Sequence, residues 1–223
     1  MKKKFFVLLF SLTLFFLPLN SKEIFRYKYF AESLRLDGSC GKIYSINCWT
    51  LKKNKVLLGL HRFDIVINYG ALNNAEVGIK FNLREQQEIS KINENIALIF
   101  PYVKYHIIDS TKNDPFDLSL GVYKTSGFLC IEKIIPEFFS ISLLTNFFLS
   151  FSEKQKFSYS FSISKYTKWV EFILDINPTE QLYATGVRAL LTPDIRLDLF
   201  FVDLKNISDL IFYNFIFGVS IRI

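Results

Sequence analysis

The sequence predicts an all-β protein: a single antiparallel up-and-down transmembrane β-barrel of about twelve strands, ten at the lowest count, behind an N-terminal signal peptide. Three observations carry that prediction. Apolar and polar residues alternate with a period of two in segment after segment, as strands with one apolar face require. The alternation runs to the carboxyl end: Phe215, Phe217, Val219, Ile221 and Ile223 are apolar. Asn214, Gly218, Ser220 and Arg222 lie between them, with Ile216 the one exception. The amino end is an export signal, and no later apolar run is long enough for a spanning helix, which needs ~20 residues.

Lys2, Lys3 and Lys4 form a basic n-region, Phe5 to Leu17 an apolar core, and Pro18-Leu19-Asn20-Ser21 a cleavage region. Residues 1–21 are therefore expected to be removed, leaving 22–223 as one barrel domain. The first cysteine, Cys40, stands too far from that cleavage region for a lipid-anchored N-terminus.

Half of the residues (50%) are hydrophobic and 17% are aromatic, with 25 Phe and 11 Tyr, yet spanning helices are excluded by length. Closed strands are the other way through a bilayer. The net charge of +6 comes from scattered lysines. The basic stretch Lys52-Lys53-Asn54-Lys55 reads as a solvated turn rather than a headgroup site, and no interleaving of basic and aromatic residues points to nucleic acid. Cys40, Cys48 and Cys130 leave an odd cysteine whichever two pair. Cys40 with Cys48 would close a small loop; otherwise the thiols are small apolar fillers. Without a CxxC or a Cys/His cluster, neither metal nor cofactor is expected.

The strands are expected near 41–46, 55–64, 74–83, 97–108, 116–123, 128–134, 138–149, 156–165, 168–176, 181–191, 195–204 and 212–222. The clearest is Phe157-Ser158-Tyr159-Ser160-Phe161-Ser162-Ile163-Ser164, where every second residue is serine. A helix would wind those apolar positions around its whole surface. Val77, Ile79 and Phe81 likewise oppose Glu76, Gly78 and Lys80; Leu118, Leu120 and Val122 oppose Asp117, Ser119 and Gly121. Turns are marked by Asn73-Asn74, Asn113-Asp114-Pro115, Asn177-Pro178 and Thr192-Pro193-Asp194. With both termini periplasmic, Asn73-Asn74 and Thr192-Pro193-Asp194 become periplasmic turns, and the polar stretch Arg84 to Asn95 an outer loop.

An exported soluble barrel or sandwich that binds a ligand would show the same alternation with its apolar face inward. The polar face decides against it here, being rich in Ser and Gly with charges of both signs, as suits a crowded lumen. On this register the mid-strand charges Glu76, Lys80, Lys104, Asp117, Glu171, Asp175, Arg188, Arg196 and Asp198 all face the lumen, with Arg222 near the rim. A Lys or Arg on the lipid face at mid-depth would cost ~2–4 kcal/mol. Acids and bases balance, so cross-lumen pairs, together with Trp169, Tyr102 and Tyr123, are expected to fill much of the bore. A narrow or occluded channel, or an envelope scaffold, fits this better than a wide porin-like pore.

A hydrolase is the competing class. The two histidines each precede an aspartate by three positions, His61 with Asp64 and His106 with Asp109, but residues so spaced on a strand face opposite ways. The serines at 158, 160, 162 and 164 are too regular for nucleophiles. No catalytic residue is therefore assigned. The partners expected are outer-membrane lipid and, during biogenesis, the barrel-assembly machinery. That machinery reads a C-terminal strand by pairing with its free edge; Phe215, Phe217, Val219, Ile221 and Ile223 form the signal here.

Asn68-Tyr69-Gly70-Ala71-Leu72-Asn73-Asn74-Ala75-Glu76-Val77-Gly78 resembles a hairpin of the YjbH-like group of outer-membrane barrels. Gly41-Lys42-Ile43, Lys104 with Asp109, Thr185-Gly186-Val187-Arg188, Leu191-Thr192-Pro193 and Phe217-Gly218-Val219-Ser220 resemble further pieces of that group. Two positions depart from it: Ile223 stands where an aromatic is usual, and Asn47-Cys48-Trp49-Thr50 replaces a proline-threonine step. The resemblance implies residence in the outer membrane of a diderm bacterium and, as in some relatives, an association with polysaccharide export. It implies no catalytic residues.

Overall fold

Period-two alternation becomes a closed ring of strands in the computed structural model, which describes residues 42–62, 64–82, 99–110, 114–123, 125–135, 141–150, 157–167, 169–204 and 214–223. The strands are β1 (Val56–His61), β2 (Asp64–Leu72), β3 (Ala75–Asn82), β4 (Ile99–Ile108), β5 (Asp117–Tyr123) and β6 (Ser126–Ile135), followed by β7 (Ile141–Ser150), β8 (Phe157–Tyr166), β9 (Val170–Asn177), β10 (Leu182–Leu190), β11 (Ile195–Phe201) and β12 (Phe215–Arg222). Each pairs antiparallel with the next, and β12 returns to β1, so the twelve close into an up-and-down barrel. At the seam Leu57 stands opposite Arg222 and His61 opposite Gly218. One pair beyond it, Val56 and the final residue Ile223 exchange both backbone hydrogen bonds, at 3.0 and 2.8 Å.

Closure satisfies the backbone of every strand and removes the edges on which sheets aggregate. A strand such as β4, with 10 residues, rises ~33 Å along its length. Tilted by about 40° it climbs ~25 Å, the height of the apolar band on outer-membrane barrels.

The side chains sort by parity. Leu58, Leu60, Ile65, Ile67, Val77, Ile79, Leu120, Phe161, Ile163, Phe172, Leu174 and Leu199 are exposed on the outer face. Between them, Asn68, Glu76, Lys104, Ser160, Glu171, Asp175, Arg188 and Asp198 are buried inside the ring.

Two expected elements differ. Residues 42–46 are not a strand: they fold inside the ring as part of an inner segment, 42–51, that precedes β1. Conversely, 64–72, which lay between the expected strands, is the nine-residue β2. The β1–β2 turn begins at Arg62, between the paired His61 and Asp64, where the sequence has no Gly, Asn or Pro to mark it. Arg62 itself adopts the left-handed conformation (φ 53°) that a tight hairpin needs. Residues 1–41 and 83–98, with the expected signal peptide, Cys40 and the expected outer loop, lie outside the described residues.

Candidate functional site: the filled bore

Eight strands make a barrel whose own side chains fill it, whereas sixteen leave a water channel. Twelve fall between, so wall side chains alone leave room along the axis. Residues 42–51 take that room: Lys42, Ile43, Ser45, Ile46, Asn47, Cys48, Trp49, Thr50 and Leu51 are all buried.

Apolar contacts hold the segment against opposite walls. Ile43 packs with Ile173, Ala184 and Phe200 on β9, β10 and β11. Ile46 packs with Tyr102, Tyr123 and Phe128 on β4, β5 and β6. Trp49 lies 5.6 Å, centroid to centroid, from the His106 ring of β4. Leu51 joins Leu57 and Val66 beside β1 and β2. Lys42 bonds at the β8–β9 end of the ring and Thr50 at the β2–β3 turn, which alternation places at the same end. The segment therefore bows into the bore and returns to the mouth it came from.

Buried peptide N–H groups must find acceptors, and lumenal carboxylates supply them. Asp175 Oδ2 accepts the backbone N–H of Ile43, Tyr44 and Ser45 at 3.1, 2.8 and 2.9 Å, and its Oδ1 accepts the Ser45 hydroxyl at 2.6 Å. Three successive amides on one carboxylate oxygen make an anion cup of the kind backbone nests form. Glu132 Oε2 accepts the Cys48 N–H at 3.1 Å while Oε1 takes the Ser142 hydroxyl at 2.7 Å. Glu76 Oε2 accepts the Leu51 N–H at 2.9 Å. Its other oxygen meets the Lys104 ammonium at 2.9 Å and the Tyr102 hydroxyl at 3.2 Å.

The cations complete the frame. Lys104 Nζ also donates to the Asn47 carbonyl at 3.3 Å and to its side-chain oxygen at 3.2 Å. Lys42 donates to Glu171 at 2.6 Å and to the Tyr166 hydroxyl. Arg188 bridges Glu171 (3.2 Å) and Asp198 (2.7 Å) and donates to the Lys42 carbonyl at 3.4 Å. These charges are fully desolvated, and a buried ion is tolerated only when its partners replace water. Lys80 pairs with Asp64 at 2.9 Å, and Arg196 is buried in the wall on β11.

The remaining sequence-derived positions sort plainly. Tyr102 and Tyr123 face the bore, but Trp169 stands outside the ring, half exposed, because it precedes β9 and its alternation. Arg222 bonds Asp194 at the rim rather than a lumenal acid. Phe217, Ile221 and Ile223 are exposed on the outer face of the closing strand. The histidines find aspartates other than those three positions on: His61 with Asp198 at 2.7 Å and His106 with Asp117 at 3.1 Å. Asp117 also holds the Ser110 hydroxyl at 2.6 Å, so the carboxylate lies between hydroxyl and imidazole. A nucleophilic relay requires the imidazole in the middle.

No protein-family model matches this chain, and no curated protein matches it.

Lys42, Glu132 and the inner segment itself are the bore-filling residues that strand parity missed. Among the described residues no group of three or more His, Cys, Asp and Glu is placed to hold a metal ion.

Proposed function

We propose that the protein is an integral outer-membrane β-barrel of a diderm bacterium, exported by its signal peptide and stoppered by residues 42–51. The observation that carries this reading is the inverted partition of side chains. Phe157, Ile163 and Phe217 are about half exposed on the outside (52%, 47% and 53%) while Arg188 and Arg196 are wholly enclosed (0%). A soluble barrel gains nothing from that arrangement, since a contiguous apolar surface beyond a few hundred Å² calls for a lipid or protein cover. The band encircles the ring, and acyl chains are the cover that encircles.

The resting barrel is an occluded channel or a rigid envelope scaffold rather than an open pore. The hairpin that resembles the YjbH-like group supports this, because it is where the inner segment meets the wall. Glu76 takes the Leu51 N–H, and Gly70 donates to the Lys55 carbonyl at 2.9 Å and accepts from Asn54 at 2.8 Å. A Cβ on Gly70 would overlap the Lys52 carbonyl. In a YjbH-like protein, passage of small solutes or polysaccharide would require part of the segment to swing aside.

Envelope fractionation with heat-modifiability on a gel tests the reading. A folded barrel in the outer-membrane fraction runs faster unheated than boiled. A chain in the soluble fraction with one mobility overturns it.

A further inference from the structure

We propose that Cys48 and Cys130 form a disulfide that ties the inner segment covalently to the barrel wall. The proposal rests on the exported reading above, since only an oxidising compartment keeps such a bond. The two sulfurs are 2.9 Å apart, fully buried, and packed beside Leu144. A bonded pair sits at about 2.0 Å, so a small rotation of either side chain closes the gap.

The backbone around them is already fixed. The Cys48 N–H is held by Glu132, two residues along β6 from Cys130. The Cys130 thiol donates to the Ile46 carbonyl at 3.0 Å, and the Cys48 thiol to the Cys130 and Asp117 carbonyls at 3.3 and 3.4 Å. Segment and strand thus present their thiols to each other from two anchored backbones. Partners 82 positions apart in sequence meet here only because the segment lies inside the ring.

The bond forms by exchange with a second disulfide, carried by an envelope oxidoreductase or a small molecule such as oxidised glutathione. One cysteine thiolate attacks that disulfide, giving a mixed disulfide and releasing one thiol. The other thiolate displaces the second thiol. Two protons leave the cysteines and two electrons reduce the oxidant. Both sulfurs are sealed in the finished barrel, so exchange precedes closure of the β1–β12 seam. After closure the same burial keeps reductants out.

The full-length protein is taken from membranes, denatured without reductant, alkylated with iodoacetamide, digested and analysed by mass spectrometry. A second sample, fully reduced, is refolded in detergent with reduced and oxidised glutathione. A linked peptide containing Cys48 and Cys130 in both samples, lost on reduction and lost in Cys130→Ser, is the expected result. A link in the refolded sample alone upholds the pair and overturns the exported reading instead. Alkylation of both thiols in correctly refolded barrel, or a Cys40–Cys48 link in their place, overturns the proposal.

Discussion

His61 and Asp198 are hydrogen-bonded at 2.7 Å although a whole strand separates them. His61 lies on β1 and Asp198 on β11, and the residue in register with both on the intervening β12 is Gly218. Only an absent side chain lets the imidazole lie across the strand. A Cβ at Gly218 would collide with the ring.

Gly218→Val should therefore push His61 off Asp198 and destabilise the barrel by ~1–3 kcal/mol, the usual cost of overpacking. Val219→Leu, one position along on the outer face, should leave stability nearly unchanged. Urea unfolding in detergent micelles, followed by tryptophan fluorescence, compares the two.

Asp175 is the main clasp on the inner segment. In Asp175→Ala three backbone N–H groups lose their acceptor, at about 1–3 kcal/mol for each group that stays buried and unsatisfied. Residues 42–47, ahead of the Cys48 tether, should leave the bore to regain water. Planar-bilayer recordings should change from near silence to steps of hundreds of picosiemens, with Asp175→Asn in between because it keeps an accepting oxygen. A silent Asp175→Ala barrel would mean that the segment stays in place without its clasp.

The outer face makes a depth-dependent prediction. Ile79 is exposed near the middle of β3. Ile79→Arg should cost ~2–4 kcal/mol in a bilayer and little in an aqueous surface. Unfolding from lipid vesicles measures it, with Lys53→Arg, in the exposed turn before β1, as the neutral control.

Deleting Phe217–Ile223 removes the residues of β12 that pair with β1 and most of those that pair with β11. The ring should fail to close, and the faster unheated gel band should vanish. Persistence of that band in the truncated chain would mean that closure does not depend on this strand.

Much of this was legible in the sequence because a closed ring obeys parity: on a strand with one polar and one greasy side, each residue fixes the side of the next. That is why Glu76, Glu171, Asp175 and Asp198 could be placed within the ring from spacing alone. Parity failed where a residue has neighbours all around it. Lys42, Ile43 and Ile46 mix polar and apolar character like a strand, yet they touch walls on several sides. The end of β6 failed for the same reason: Glu132, Lys133, Ile134 and Ile135 are buried at both parities, and Lys133 reaches back to the Pro115 carbonyl. The histidine partners lay beyond any spacing rule, because strand order, not sequence distance, brings Asp198 to His61. The β1–β2 hairpin hid behind an arginine doing what glycine or asparagine normally does.

The inner segment runs straight into the first strand of a ring that its last strand completes, and this imposes a chronology on manufacture. The core peptide reaches its place most directly before the final hairpin arrives, since a finished hoop of hydrogen bonds offers no sideways entry and leaves only the open mouth. Lumen contents and hoop are thus made in one act, and a mutation that slows seating should be felt as a defect of biogenesis before it is felt as a leak.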